Sequence, residues 1–304
     1  MKLLLTGCNG QVGFELQRAL APLGELISVD RSRCDLAQPE RVRATVRQYA
    51  PDIIVNAAAY TAVDRAESDT ETAYAVNTEA LHVLGDEAAR CGACVIHYST
   101  DYVFDGSKAE PYTEDDELCP VNVYGASKAA GEVALREACA EHLILRTSWV
   151  FGVQGANFVK TMLRLATERE SLNVVNDQFG APTSAALIAD VTAQIISRLL
   201  ITRVAAAEAD QNPYGTYHLT AGGVASWYDL AGFVIEAARA AGRPLKLPPG
   251  ALQGIPTSAY PTPAKRPANS RLSTERLRQT FGLHLPDWRH GASHVLTQLL
   301  ARTP

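Results

Sequence analysis

Tyr124 and Lys128 stand four residues apart in Val123-Tyr124-Gly125-Ala126-Ser127-Lys128. On a helix that spacing puts a phenol and an ammonium on one face. The positive charge favours the phenolate, so a group that ordinarily titrates near ~10 moves toward working pH and becomes a usable proton donor. A hydroxyl from Ser99 or Thr100, in Ser99-Thr100-Asp101-Tyr102-Val103-Phe104, completes a set suited to polarising a carbonyl. Alone the pair is a weak signal, because a tyrosine and a lysine one turn apart also describe a plain solvated helix face. Its weight comes from the start of the chain.

There, apolar residues 2–6 read as a strand. They run into Thr6-Gly7-Cys8-Asn9-Gly10-Gln11-Val12-Gly13, which opens an amphipathic helix to about Leu20. A glycine-rich turn between strand and helix lets backbone approach a pyrophosphate, and the helix start turns free N–H groups and partial positive charge toward it. The next strand, Leu26 to Val29, ends in Asp30-Arg31. Asp30, 17 residues past Gly13, suits the ribose 2′-hydroxyl of NAD, whereas Arg31 and Arg33 suit the 2′-phosphate of NADP. The two signals oppose each other and leave NADPH and NADH both open, NADPH slightly ahead. Asp35 and Leu36 precede a helix starting near Pro39, where Asp35 either caps the helix or meets the adenine end of a cofactor.

A third strand, Asp52 to Asn56, runs into Ala57-Ala58-Ala59-Tyr60-Thr61. Small residues there either leave room for a flat ligand or allow close helix packing. A long helix follows over about 71–90, holding Asn77. A fourth strand, 93–98, then delivers Ser99 and Thr100 to the edge where the glycine loop lies. His97, inside that strand, reads as packed rather than catalytic. A fifth strand spans Leu143 to Arg146. This alternation predicts an α/β protein whose residues 1–150 form a Rossmann-type doubly wound parallel sheet that binds a dinucleotide. Beyond residue 150 the alternation loosens. A helix is expected over 184–200, an exposed connection over 202–215 and a second apolar helix after Ser226. Six prolines mark extended chain over 248–271, ending in a short helix, and a last helix starts near Arg289. Residues 151–304 are expected to form a smaller C-terminal α/β substrate lobe, with some chain returning to the first domain.

The 304 residues are 47% hydrophobic and 20% charged, ordinary for a globular chain. A net charge of −5 with scattered basic residues argues against nucleic acid or an anionic membrane as partner. No stretch approaches the ~18 apolar residues of a membrane span. The start lacks a secretion-type apolar run, so the six cysteines are expected as free thiols in the cytoplasm. Cys91-Gly92-Ala93-Cys94 has metal or redox spacing, but no second pair completes a site, and no metal is expected.

With glycine loop, Ser-Thr-Asp and Tyr-x-x-x-Lys in this order, the chain resembles the extended short-chain dehydrogenase/reductase family. Within it, the chain is similar to the branch that acts on dTDP-linked 4-keto-6-deoxysugars. The likeness covers nearly the whole chain. Two stretches are shared across many reductases, Gly10-Gln11-Val12-Gly13 and Asn122-Val123-Tyr124-Gly125. More specific are Asn56 to Asp64, His97 to Phe104, Arg146-Thr147-Ser148-Trp149-Val150, Asp177-Gln178-Phe179-Gly180-Ala181-Pro182-Thr183 and Arg266 to Leu272. The resemblance implies hydride delivery from a nicotinamide to the sugar C4. Tyr124 would donate the proton, Lys128 would tune it and hold the ribose, and Thr100 would assist at the reacting oxygen. The cofactor would meet Gly7, Gly10, Gln11, Val12, Asp30, Arg31, Asp35, Leu36, Ala59, Tyr60 and Thr61 as well as Tyr124 and Lys128. The sugar nucleotide would meet Thr100, Asp101 and Trp149, with Arg266 and Arg271 at its diphosphate.

The rival readings are the same reduction on another sugar nucleotide, a non-catalytic nucleotide-binding regulatory subunit, and an epimerase or dehydratase. A dehydratase would carry Asp-Glu after the threonine, where this chain has Asp101-Tyr102. Some relatives dimerise around magnesium. Glu15 matches one ligand position, but Ala186 and Arg289 stand at the others and offer a hard cation no oxygen, so magnesium is not expected and the chain is expected as a monomer or weak homodimer.

Overall fold

The computed structural model describes residues 1–205 and 212–301. Its centre is a six-stranded sheet built from β1 (Lys2–Thr6), β2 (Glu25–Val29), β3 (Ile53–Asn56), β4 (Cys94–Thr100), β5 (His142–Thr147) and a sixth strand, Gly215–His218. The spatial order is Gly215–His218, β5, β4, β3, β1, β2, and every neighbouring pair is parallel. Parallel strands are covered on both faces and therefore read as continuous apolar runs. Leu3, Leu4 and Leu5 show the consequence. Leu3 and Leu5 pack with Leu16, Leu20, Ile188 and Ile195 on one face. Leu4 packs with Val42, Val46, Leu81 and Leu135 on the other. The helices on this second face are α2 (Pro39–Tyr49), α3 (Ala80–Cys91) and α4 (Val123–Ala138); α1 (Gln11–Leu20) and Ala185–Ala205 cover the first. This is a Rossmann-type doubly wound sheet.

The chain leaves β1 toward β2 on one side and then crosses to β3 on the other. A crevice opens where that direction reverses, between the carboxyl ends of β1 and β3. Gly7 sits at its floor with φ 69°, and a Cβ there would lie 2.6 Å from the Ala58 amide nitrogen. No side chain but hydrogen fits that close approach of two backbones.

Three expected boundaries differ. β4 runs through Thr100, so Ser99 and Thr100 are strand residues, with Thr100 in register with Thr147 of β5. The helix expected over 71–90 is broken by a π-helical segment, Ala75–Glu79, between Thr70–Tyr74 and α3. That bulge turns Asn77 inward against α4, where a Cβ on Gly131 would meet the Asn77 carbonyl at 1.9 Å. Finally, the helix expected to end near residue 200 continues to Ala205, and Gly215 already belongs to a strand. Residues 206–211 of the expected connection lie outside the described residues.

After β5 the chain builds smaller pairings, Val150–Phe151 with Thr183–Ser184 and Leu172–Val175 with Leu252–Ile255. They pack around a separate cluster that includes Phe151, Val159, Met162, Leu230, Val234 and Trp288. Leu277 and Phe281, from the short helix Glu275–Phe281, return to the core of the main sheet. Cys91 ends α3 exposed and Cys94 opens β4 buried, both as free thiols. Among the described residues no helix is long and apolar enough to cross a membrane.

Candidate active site

A cavity of about 1040 Å³ lies along the carboxyl edge of the sheet. That is the upper end of the range for single ligands, about 300–1,000 Å³. Gly7, Gly10, Gln11 and Val12 form its middle floor, Asp30, Arg31, Asp35 and Leu36 one end, and Ala59, Tyr60 and Thr61 a side wall. Thr100, Asp101, Tyr124, Lys128 and Trp149 line the other end. One surface therefore gathers residues that are up to 220 positions apart in the chain (Gly7 to Trp227).

At the first end, the Asp30 carboxylate accepts hydrogen bonds from Ser32 Oγ at 2.6 Å, Ser32 N at 3.0 Å and Asn9 Nδ2 at 3.1 Å. The Ser32 hydroxyl leads in holding its pKa below the usual carboxylate value. Arg31 pairs with Asp35 at 3.3 Å, its side chain 79% exposed. Arg33 is turned away, donating to Ser28 O at 3.2 Å and to the Tyr49 hydroxyl.

At the other end, Asn122 caps α4 by accepting from the Gly125 amide at 2.8 Å, which fixes the turn that carries Tyr124. Asn77 then ties the wall to the helix. It accepts from Tyr60 N at 2.9 Å and donates to Ser127 Oγ at 3.0 Å. Thr100 Oγ1 accepts from Tyr102 N at 3.2 Å and donates to Asp101 Oδ1 at 3.1 Å. Burial raises the Asp101 carboxyl to about 6, with the Ser270 and Thr100 hydroxyls pulling the other way.

The structure gives the Tyr124 phenol no downward pull from Lys128. Burial pushes Tyr124 up to about 12; a hydrogen bond with Thr100 opposes the rise and the Asp101 charge adds to it. Lys128 is itself fully buried, and burial lowers it to about 7 against the pull of Glu132. Its Nζ is directed to His97 Nε2 at 2.8 Å and to the Tyr98 carbonyl at 2.7 Å. Helical spacing places the two side chains on one face, but the tertiary surroundings set their charges.

Neither Arg266 nor Arg271, expected at the diphosphate, lines this cavity. Arg266 donates to Asp64 Oδ2 at 2.8 Å and lies over the Tyr102 ring at 5.8 Å. Arg271 donates to Asn269 Oδ1 at 2.8 Å and to the Ala109 carbonyl. These contacts brace the loops behind Tyr102, while the buried Nη1 of Arg266 has no hydrogen-bond partner among the described residues.

Sequence reading missed Trp227. Its ring stacks on Trp149 at 3.6 Å between centroids and 9° between planes, and its Nε1 donates to Gln178 Oε1 at 3.1 Å. Trp149 holds φ 49°, a left-handed conformation that costs a bulky residue on the order of 1–3 kcal/mol and points to a constraint from function or packing. The Ser226–Asp229 capping box that starts the Trp227 helix is readable in sequence; the indole's partner is not.

A dinucleotide-type loop at the reversal point of a parallel sheet, with threonine, tyrosine and lysine meeting at the adjacent strand end, defines an oxidoreductase of the short-chain dehydrogenase/reductase class. Residues 1–301 match the family model described as the RmlD substrate binding domain. The dTDP-4-dehydrorhamnose reductase of Escherichia coli K12 is 55% identical over 100% of this chain and 99% of its own length. That of Burkholderia thailandensis is 49% identical over 99% of this chain and 100% of its own. Among solved structures, a dTDP-4-dehydrorhamnose reductase from Bacillus anthracis in complex with NADP superposes with a TM-score of 0.85 at 34% identity, covering 98% of this chain and 99% of the other. The chain belongs to the RmlD family of dTDP-4-dehydrorhamnose reductases. A UDP-glucose 4-epimerase from Thermus thermophilus, 19% identical with a TM-score of 0.78 over the full length of both chains, shares the fold.

Proposed function

We propose that the protein reduces the C4 ketone of dTDP-4-dehydro-L-rhamnose to the alcohol of dTDP-L-rhamnose, using NADPH ahead of NADH. The observation that carries this reading is the convergence of Thr100, Tyr124 and Lys128 on a cavity whose middle is the glycine loop. The loop fits a dinucleotide. Gly10 caps α1 with no side-chain hydrogen bond, so the first amides of the helix are left for a phosphate. Gly7 lets the loop pass close against the Ala57–Ala58 backbone, which holds the turn in place. Asp30, Arg31, Asp35 and Leu36 would hold the adenosine end, and Ala59, Tyr60 and Thr61 the middle. Residues 1–150 carry most of these contacts, and the later chain closes over the sugar.

A bound reduced nicotinamide supplies the hydride. Tyr124 gives its phenolic proton to the C4 oxygen as negative charge develops there, and Thr100 keeps the phenol aimed. Burial that holds Tyr124 near 12 keeps the proton in place until a base-like oxygen appears. Asp101 and the Trp149 ring, at the same end, shape the sugar site. Trp149's stacking on Trp227 keeps water from that side of the cavity.

The test is oxidation of NADPH and NADH with dTDP-4-dehydro-L-rhamnose, beside Tyr124→Phe. Turnover that falls about 10²–10⁴-fold in the variant supports the reading and ranks the cofactors. Cofactor binding without turnover points to a different sugar nucleotide. We also propose a monomer or weak homodimer without bridging magnesium. Glu15 pairs with Arg18 at 3.6 Å, and Arg289 with Asp287 at 3.2 Å. A dimer that appears in sedimentation with magnesium and dissociates in chelator would overturn it.

A further inference from the structure

A buried polar line crosses three strands of the sheet and ends on Lys128. Thr6, Asn56 and His97 stand side by side on β1, β3 and β4, in direct register. The proposed reaction uses none of the three. The direction of every bond along the line is determined by its first member that has no choice.

That member is the Ala58 backbone amide, which donates to Asn56 Oδ1 at 3.2 Å. Thr6 Oγ1 reaches the same oxygen at 2.6 Å. These two donors fix the amide oxygen, and the amide nitrogen must be the atom 3.1 Å from His97 Nδ1. An amide nitrogen only donates, so Nδ1 carries the lone pair. Burial keeps His97 well below its usual pKa, which makes the ring neutral. A neutral ring with a bare Nδ1 has its proton on Nε2. Nε2 lies 2.8 Å from Lys128 Nζ. Two donors do not face each other at that distance, so Nζ accepts there while it donates to the Tyr98 carbonyl. An amine that accepts is an uncharged amine.

Of the other groups facing Lys128, Glu132 alone pulls it toward the charged form, and its carboxylate is already paired. Glu132, one turn along α4, is held by Arg146 from β5 at 2.7 Å and by Arg136 at 3.3 Å. Tyr124, one turn back, is a neutral phenol, and the Tyr98 hydroxyl is engaged with Thr192 at 2.8 Å. Asp101, after β4, is the remaining acid at this end of the cavity, and its carboxyl is directed to Thr100. No carboxylate reaches Nζ among the described residues.

We infer that His97 is a positioning residue which, locked as the Nε2–H tautomer by Asn56, holds Lys128 as a neutral amine until the oxygens of a bound dinucleotide draw it away, so that cofactor binding takes up one proton from solvent at Lys128. The inference rests on the reductase reading only for what draws the lysine away. The proton bound is balanced by one released from buffer, and nothing is oxidised or reduced in the step. Because the bound form carries the extra proton, NADPH binds tightest below about pH 7 and weakens by about tenfold per pH unit above it, until the bound lysine itself titrates.

Two measurements test it. In protein labelled with ¹⁵N-histidine at pH 8, the ring resonance lost in His97→Gln is assigned to His97, and its couplings report the tautomer. The Nε2–H form is expected; the Nδ1–H form or a doubly protonated ring overturns the inference in the protein alone. Calorimetric titration with NADPH at pH 8, in two buffers of different ionisation enthalpy, counts protons. Uptake close to one per site is expected, falling below half in His97→Gln, whose amide oxygen accepts from an ammonium. Uptake near zero in the unaltered protein, or unchanged in the variant, overturns it. Absence of any binding heat would instead overturn the cofactor reading, and the tautomer would still decide this one.

Discussion

Lys128 and Glu132 occupy successive turns of one face of α4, are equally buried, and live by opposite rules. Glu132 is clasped by Arg146 through two bonds, Nε to Oε1 at 2.9 Å and Nη2 to Oε2 at 2.7 Å. Its charge is satisfied, and it pins α4 to β5. Lys128 has a histidine nitrogen and a carbonyl instead of a counter-ion. The same burial that makes the acid an anchor leaves the base poised between two protonation states. A buried ion with a partner is structure; a buried titratable group without one is available for chemistry.

The largest test of this contrast separates activity from stability. Lys128→Met is expected to lower turnover about 10²–10⁴-fold while costing no more than about 1 kcal/mol of unfolding free energy, because it leaves no partner ion uncompensated. Glu132→Gln is expected to do the reverse. Denaturant unfolding should show a loss of about 3–5 kcal/mol, with turnover per folded molecule within a few-fold of the parent. Equal stability losses in the two variants would break the contrast. Replacing both Glu132 and Arg146 by methionine should regain at least half of the loss, since no uncompensated charge then remains.

Smaller effects sharpen it through pH. The folded protein holds Lys128 near 7, below its usual 10.5, so between those values the unfolded chain binds more protons. Stability contributed by this group therefore rises from pH 7 to 10.5, by up to about 1.4 kcal/mol per unit, and Lys128→Met should flatten that rise. Glu132 titrates at the opposite end. Although burial raises its pKa, Arg146 holds it below the usual value, so its contribution is present at neutral pH and lost as acid takes the pH below the carboxylate range. Asp101, raised to about 6, takes up protons on folding between pH 3.8 and 6, so its carboxylate opposes folding at pH 7. Asp101→Asn should raise stability there by about 1–2 kcal/mol, read as a higher thermal midpoint, and the gain should vanish below pH 4.

The glycine loop, the five early strands and the Tyr124–Lys128 face were legible because each follows from spacing along one element. Apolar runs mark parallel strands, and four residues mark a helix turn. What acts between elements was not legible. Lys128's partner lies 31 residues back on β4, and His97 read only as a packed strand residue. Trp227 becomes a neighbour of Trp149 across 77 residues of intervening chain. Arg266 and Arg271 were chosen for the bidentate chemistry of their type, and type cannot say that Asp64 and Asn269 reach them first. The π segment at Asn77 was hidden for a related reason. Its residues have no distinctive composition, and the inward turn is fixed by the close passage of Gly131.

The parallel partner of β5 on its outer side is Gly215–His218, about 70 residues further along the chain. During synthesis at roughly 5–20 residues per second, β5 leaves the ribosome about 4–14 s before that partner exists. For that interval His142–Thr147 is a buried-type strand with one open hydrogen-bonding edge. The growing chain must cross this window before its sheet can close, and an unpaired strand edge is a template on which another chain can pair.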